Sequence, residues 1–275
     1  MAAKRTFVWL GVALLLLLIV GGAAAALLLR PGRNQQPTDY KAAVPRNGIA
    51  MWLVADDAAP AAVNGRVEAW QNPEFPTIAA KATGESRPTV VRKAAADHAA
   101  LRFDGVDDML TAPIDISPAS MPEVTIFTVF TPRTSERTPF RKLYGDDDGG
   151  FDRAVGFDSR MPETFNNYGV FTGSGVASCA RLNAGVLYIA ADQFTANSFS
   201  SWIDGAPGAR NVPATWKNDA LPNLYIGGTG TRFREPWYGD IAEMIVYRRT
   251  LTEEERRKVE MYLVQRYNSR FALGR

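Results

Sequence analysis

The stretch GDIAEMIVYRRTLTEEERRKVEMYLVQRYN, Gly239 to Asn268, changes periodicity in its middle, and that change decides the fold. Its first part, Gly239 to Arg249, is rich in Ile, Val and Tyr, residues that suit a pleated, half-buried surface. Its second part opens with Thr252 and Glu255, a T-x-x-E capping box, with Leu251 as the staple and Glu253 and Glu254 at the positive end of the helix dipole. Val259, Tyr262, Leu263 and Tyr267 then fall near one helical face. The spacing predicts a long strand followed by one helix, 252–268, closing a β structure from outside or at one end.

Upstream, short apolar runs such as GIAMWLVA, AALRFDG, VTIFTVF, GVLYIAAD, SFSSWIDG and NLYIGG are separated by Gly, Pro, Asn and Asp. Many alternate or are β-branched and aromatic, the pattern of strands joined by tight turns. No sustained helical periodicity precedes residue 250. The body therefore reads as an all-β sandwich or barrel.

The first 45 residues read differently. After a basic start (1–6, with Lys4 and Arg5), residues 7–29 carry no charge, and at about 1.5 Å per residue such a run crosses a hydrocarbon core of roughly 30 Å. This is a transmembrane helix or a long signal peptide, and the apolar run through Leu29 favours an uncleaved single-pass anchor with the C-terminal domain outside the cytoplasm. Cleavage at GGAAAA would instead release a secreted protein. Residues 30–45, RPGRNQQPTDYKAAVP, read as a tether, leaving 46–275 as the folded domain.

Charge and cysteine content exclude several functions. Four of the 31 basic residues precede Asn34 and no acid does, so the remainder holds 27 basic and 29 acidic residues. With no basic cluster interleaved with aromatics, nucleic acid is not an expected partner. Cys179 is the single cysteine and His98 the single histidine, which rules out an intrachain disulfide or a Cys-based zinc site. There is no G-x-S-x-G elbow, phosphate loop or H-E-x-x-H pair.

A family pattern emerges from the order of motifs. GIAMWLVADD, NGRVEAWQN, RPTVV and AALRFDGVDDML, followed by LYIGGTG and WYGDIAEMIVYRRTLTEEERRKVEMYL, resemble concanavalin A-like lectin/glucanase domains of the laminin-G-like type over roughly Val44 to Asn268. The resemblance implies a two-sheet antiparallel jelly-roll sandwich with one short C-terminal helix, used outside the cytoplasm to bind glycans or proteins. The chain departs from the pattern at Val54 and at QNPEFP, where such domains often carry acids. The family fold also hosts hydrolases and lyases, so fold does not decide function.

The carboxylates argue against catalysis. On a regular strand residues i and i+3 point to opposite faces, so Asp240 and Glu243 form a pair only if a bulge intervenes. Glucanases of this fold use E-x-D-x-x-E, whereas the residues two before and two after Glu243 are Ile241 and Ile245. The densest acidic stretch, YGDDDGGFDR, offers Asp146, Asp148 and Asp152 as candidate calcium ligands, because calcium takes oxygen donors from flexible acidic loops. A solvated hairpin turn is the alternative there, and a turn is the stronger reading for Asp104, Asp107 and Asp108.

Aromatic rings beside polar groups suit sugar stacking, and Trp216, Trp237, Tyr238, Tyr168 and Asn167 lie in or beside loops. The other use for such rings is to plug the rim of the core. Trp52, Trp70 and Trp202 stand in strand patterns and are expected in the core. Together these residues predict a non-catalytic module for a glycan or surface protein, with a hydrolase or lyase and an envelope assembly domain as the alternatives.

Overall fold

The run Val124–Pro132, VTIFTVFTP, is buried at every position, and so is all of Tyr238–Tyr247 after its first residue. A strand buried on both faces needs two separate layers to cover it. That requirement organises the molecule.

The computed structural model describes residues 40–82, 84–133, 140–149, 152–158, 167–173, 175–217, 220–230 and 234–269, so the predicted anchor at 7–29 lies outside the described residues. Among the described residues no helix is long and apolar enough to cross a membrane. The strands are β1 (Ile49–Val54), β2 (Ala69–Asn72), β3 (Phe75–Lys81), β4 (Thr89–Ala95), β5 (His98–Asp104), β6 (Leu110–Ala112), β7 (Val124–Pro132), β8 (Phe140–Gly145), β9 (Ala154–Asp158), β10 (Asn167–Phe171), β11 (Val176–Arg181), β12 (Tyr188–Phe194), β13 (Ser198–Ile203), β14 (Ala206–Pro213), β15 (Leu224–Ile226) and β16 (Tyr238–Tyr247).

They form two antiparallel sheets. The back sheet runs β14-β13-β12-β7-β16-β5-β4, with β1 also on β16, and the front sheet runs β11-β10-β9-β8-β15-β6-β3-β2. Met51, Leu101, Phe103, Phe130, Tyr144, Val170, Trp237, Ile241 and Met244 belong to the core between the sheets. Trp52, Phe127, Trp202, Ile245, Val259, Tyr262, Leu263 and Tyr267 form a second core under the C-terminal helix (Glu253–Tyr267). The helix thus covers the back sheet from outside, and its full capping box fits the T-x-x-E reading: Thr252 accepts from the Glu255 N–H while the Glu255 side chain accepts from the Thr252 N–H. Asn268, in the left-handed conformation at φ 46°, ends it.

One boundary falls earlier, and one stated condition is met. The packed unit begins at Tyr40 rather than at 46, since Val44 is buried in the helix-side core and the Pro45 carbonyl accepts from the Tyr247 hydroxyl at 2.9 Å. The pairing of β16 with β7 shifts register between Ile241 and Glu243. That β-bulge resets the alternation, so Ile241, Met244 and Val246 face the front sheet while Ala242, Ile245 and Tyr247 face the helix. Asp240 and Glu243 therefore share the outer face of the back sheet.

Candidate functional site

Sharing a face does not make Asp240 and Glu243 a catalytic pair, because both are already engaged. Arg102, their neighbour on β5, donates through Nε to Asp240 Oδ1 at 2.7 Å and through Nη2 to Oδ2 at 2.9 Å. Glu243 is 0% exposed, and its oxygens accept from Trp52 Nε1 at 2.7 Å and the Tyr267 hydroxyl at 2.8 Å, with Arg266 Nε at 3.3 Å. Arg266 continues to Asp56 at 2.7 Å, which also meets His98 Nδ1 at 2.7 Å. Burial raises the Glu243 carboxyl above its ordinary value, and Arg266 with the hydroxyl and indole donors pulls it back. This network fastens the C-terminal helix to β1 and β16.

A second buried carboxylate, not singled out in the sequence, lies between the sheets. Asp192 on β12 accepts from the hydroxyls of Tyr144 at 2.9 Å, Tyr168 at 2.6 Å and Ser201 at 2.6 Å. Burial pushes its carboxyl up to about 6, against the pull of the three hydroxyls. The signal in the sequence was an acid at an inward position of the strand run YIAADQF. Burial also pushes the nearby Cys179 thiol up to about 12, which leaves it no nucleophilic thiolate at neutral pH.

The five residues predicted to hold a ligand are not brought together. Trp237 is 0% exposed and sits between the sheets against Phe157 at 5.3 Å and Phe130 at 5.8 Å, so it has no free face for stacking. Tyr168, also 0% exposed, spends its hydroxyl on Asp192 and its ring on Phe130 at 5.6 Å. Trp216 is buried at the rim, donating from Nε1 to the Thr195 carbonyl at 2.8 Å and packing on Phe194. Core packing holds Trp237 and Tyr168 and rim packing holds Trp216, so none of the three presents a stacking platform. Tyr238 and Asn167 are half-buried, with the Arg141 guanidinium 5.7 Å from the Tyr238 ring centre.

The concentration of charge that remains is on the front sheet, where β8 ends and β9 begins. A register shift between Lys142 and Tyr144 lets Leu143 and Tyr144 both join the intersheet core. Lys142 lies off that core, 0% exposed, with Nζ 2.6 Å from Asp147 Oδ2, 3.5 Å from Glu235 and 3.0 Å from the centre of the Phe171 ring. Burial lowers the Lys142 pKa, and the two carboxylates oppose the shift. Arg153 is caged by carbonyls, donating to Ile116, Met121, Pro122 and Thr195. Of the predicted calcium ligands, Asp148 and Asp152 come together, and the third place is taken by Asp147 rather than Asp146. Asp146 is held by its backbone, its N–H to the Arg153 carbonyl and its carbonyl to the Leu221 N–H. Burial raises Asp146 well above the ordinary carboxylate range and pushes Asp152 up to about 7, with neighbouring carboxylates adding to both.

No protein-family model and no curated protein sequence matches this chain. Solved structures do. Trypanosoma rangeli sialidase in complex with 2,3-difluoro-KDN superposes with a TM-score of 0.58 at 15% identity, over 82% of this chain and 34% of that one. Domain 4 of AbnA, a GH43 extracellular arabinanase from Geobacillus stearothermophilus, in complex with arabinotriose, gives 0.50 at 12% identity over 75% of this chain and 95% of that one. The botulinum neurotoxin serotype D binding domain gives 0.53 at 7% identity over 80% of this chain and 53% of that one. This chain spans about a third of the sialidase's length. At these identities the likeness establishes the β-sandwich fold.

Proposed function

We propose that this chain is a non-catalytic binding module of the concanavalin A-like, laminin-G-like kind, held outside the cytoplasm by residues 7–29 and recognising a glycan or a glycan-bearing surface protein. The observation that carries this reading is the state of the β16 acids. Asp240 and Glu243 are the two acids that the β16 bulge brings to one face, and both are held by structural donors. A glycosidase needs two carboxyl groups about 5 to 10 Å apart on one accessible face, and a side chain with 0% exposure cannot serve.

The superposition on an arabinanase domain described with arabinotriose supports a saccharide as the ligand class. The exposed large apolar side chains among the described residues are Val63, Val106 and Val186, too scattered to favour an assembly surface. Tyr238, half-exposed beside Arg141, is the ring left to stack on a sugar. The test is binding of the full chain to a panel of glycans with simultaneous analysis of products. Saturable binding without products, weakened about tenfold or more by Tyr238→Ala, is expected for a stacking contact. Released oligosaccharide would overturn the reading, and silence across the panel would turn it toward a protein partner.

A further inference from the structure

The edge strand β14 bulges beside the start of the C-terminal helix. Its pairing with β13 passes from Val212 opposite Phe199 to Ala209 opposite Ser201, so Arg210 and Asn211 together stand opposite Ser200. Consecutive residues of a regular strand point to opposite faces. Here Asn211 takes a left-handed conformation at φ 47°, its N–H donates to Ser200 Oγ at 2.9 Å, and Arg210 and Asn211 both line one cleft of about 170 Å³. Asn tolerates that conformation better than most residues, and a bulge is one way a strand re-aims its side chains.

The first turn of the helix contributes Glu253 and Arg256 to the same cleft. Its inner part is tightly packed: Trp202 is 8% exposed, Ser200 9% and Arg256 2%. The Arg256 guanidinium stands 4.3 Å from the centre of the Trp202 ring and donates through Nη1 to Glu260. Trp202 Nε1 is buried and meets no acceptor among the described residues. Arg210 is exposed and forms no hydrogen bond or ion pair among the described residues. Glu253 is tied to Arg257, whose Nε and Nη2 lie 3.1 and 2.8 Å from its Oε1.

We propose that this cleft binds a small hydroxylated carboxylate, such as a sugar acid. A guanidinium presents a planar fork of N–H donors that matches a carboxylate, and two of them, from Arg210 and Arg256, line one small space. The Asn211 amide, the Ser200 hydroxyl and the Glu253 carboxylate suit neighbouring hydroxyl groups, since each ligand hydroxyl both donates and accepts. Glu253 also sets the charge. Beside its carboxylate, like-charge repulsion favours a singly charged ligand over a phosphate dianion. Sites for drug-sized ligands run to roughly 300–1,000 Å³. A cleft of about 170 Å³ therefore holds one ring or one chain end and not a length of polymer. The site includes Leu251, beyond the end of β16, whereas Tyr238 begins that strand, so it stands apart from the Tyr238 reading and neither depends on the other.

The test is calorimetric titration of the full chain with glucuronate, glucose, acetate and inorganic phosphate, followed in parallel by tryptophan fluorescence. One glucuronate is expected per chain, bound about tenfold or more tightly than glucose, which lacks the charge, or acetate and phosphate, which lack the ring hydroxyls. Binding should change the fluorescence, and Trp202→Phe should remove that change. Arg210→Gln should weaken glucuronate at least about tenfold. Asn211→Gly keeps the left-handed backbone while deleting the amide, and should weaken it about threefold or more. Both residues are exposed, so both variants should melt like the unaltered chain. Arg92→Gln, on β4, should bind as before. An oligosaccharide ending in glucuronate that binds as well as the free acid supports the site with a chain end as its ligand, and one that is excluded supports it with the free acid. Absence of saturable binding at millimolar glucuronate, equal binding of any of the other three probes, unchanged affinity in both Arg210→Gln and Asn211→Gly, or loss of binding in Arg92→Gln would each overturn the assignment. So would a fluorescence change that survives Trp202→Phe.

Discussion

The two sheets treat buried acids in opposite ways. Beneath the C-terminal helix, Glu243 is surrounded by Trp52, Tyr267 and Arg266, and Asp240 is clasped by Arg102. At the end of β8, Asp146 and Asp152 are as deeply buried, and burial with neighbouring carboxylates holds both carboxyls above their ordinary range. A buried carboxylate with all its donors in place is part of the fold. One crowded by other carboxylates is instead held toward its neutral form, because burial and like charge disfavour the ionised one. The helix-side face is therefore the frame of the molecule.

The largest effect that would sharpen this contrast comes from Glu243→Ala. It strands Arg266, the Trp52 indole and the Tyr267 hydroxyl, and should cost about 3–5 kcal/mol in denaturant unfolding. A loss below about 1 kcal/mol would break the claim that this network frames the fold.

The next effect is one of pH. Asp192 has its folded pKa raised to about 6 from the ordinary 3.8, so between those values the folded state holds a proton that the unfolded state has released. Its contribution to stability therefore falls as pH rises from about 4 to about 6, and is level outside that window. Asp192→Asn should flatten that part of the stability profile relative to the unaltered chain, as followed by denaturant midpoints across the window. The smallest effect is at the helix start: Thr252→Ala removes one half of the capping box and should cost about 1 kcal/mol.

How far the sequence foretold the structure depends on the length scale of each feature. The helix was readable to its caps, because Thr252, Glu255 and Asn268 act through contacts a few residues away. The alternation of apolar runs likewise announced an all-β sandwich or barrel, and the family resemblance implied the two-sheet form. The bulge in β16 was not readable, since one extra residue on a strand leaves no mark on a run that is buried on both faces. Trp237 and Trp216 were misjudged for a related reason: loop neighbours say where a ring begins, while pairing across the sandwich decides whether it points into the core. The acid loop was half legible. Its composition singled out Asp146, Asp148 and Asp152, but only the folded loop shows Asp147 replacing Asp146 and Lys142 lying against it.

Hydrogen exchange of the full chain at about pH 5 and about pH 8, corrected for intrinsic rates, tests the contrast between the two faces most directly. The account predicts protection that falls at the higher pH at the amides of Lys142–Gly149 and Asp152–Phe157, where Asp146 and Asp152 lose protons held in the folded state, with a smaller change along Tyr238–Tyr247 and Glu253–Tyr267. An equal loss of protection on both faces, or no response to pH at either, would contradict it.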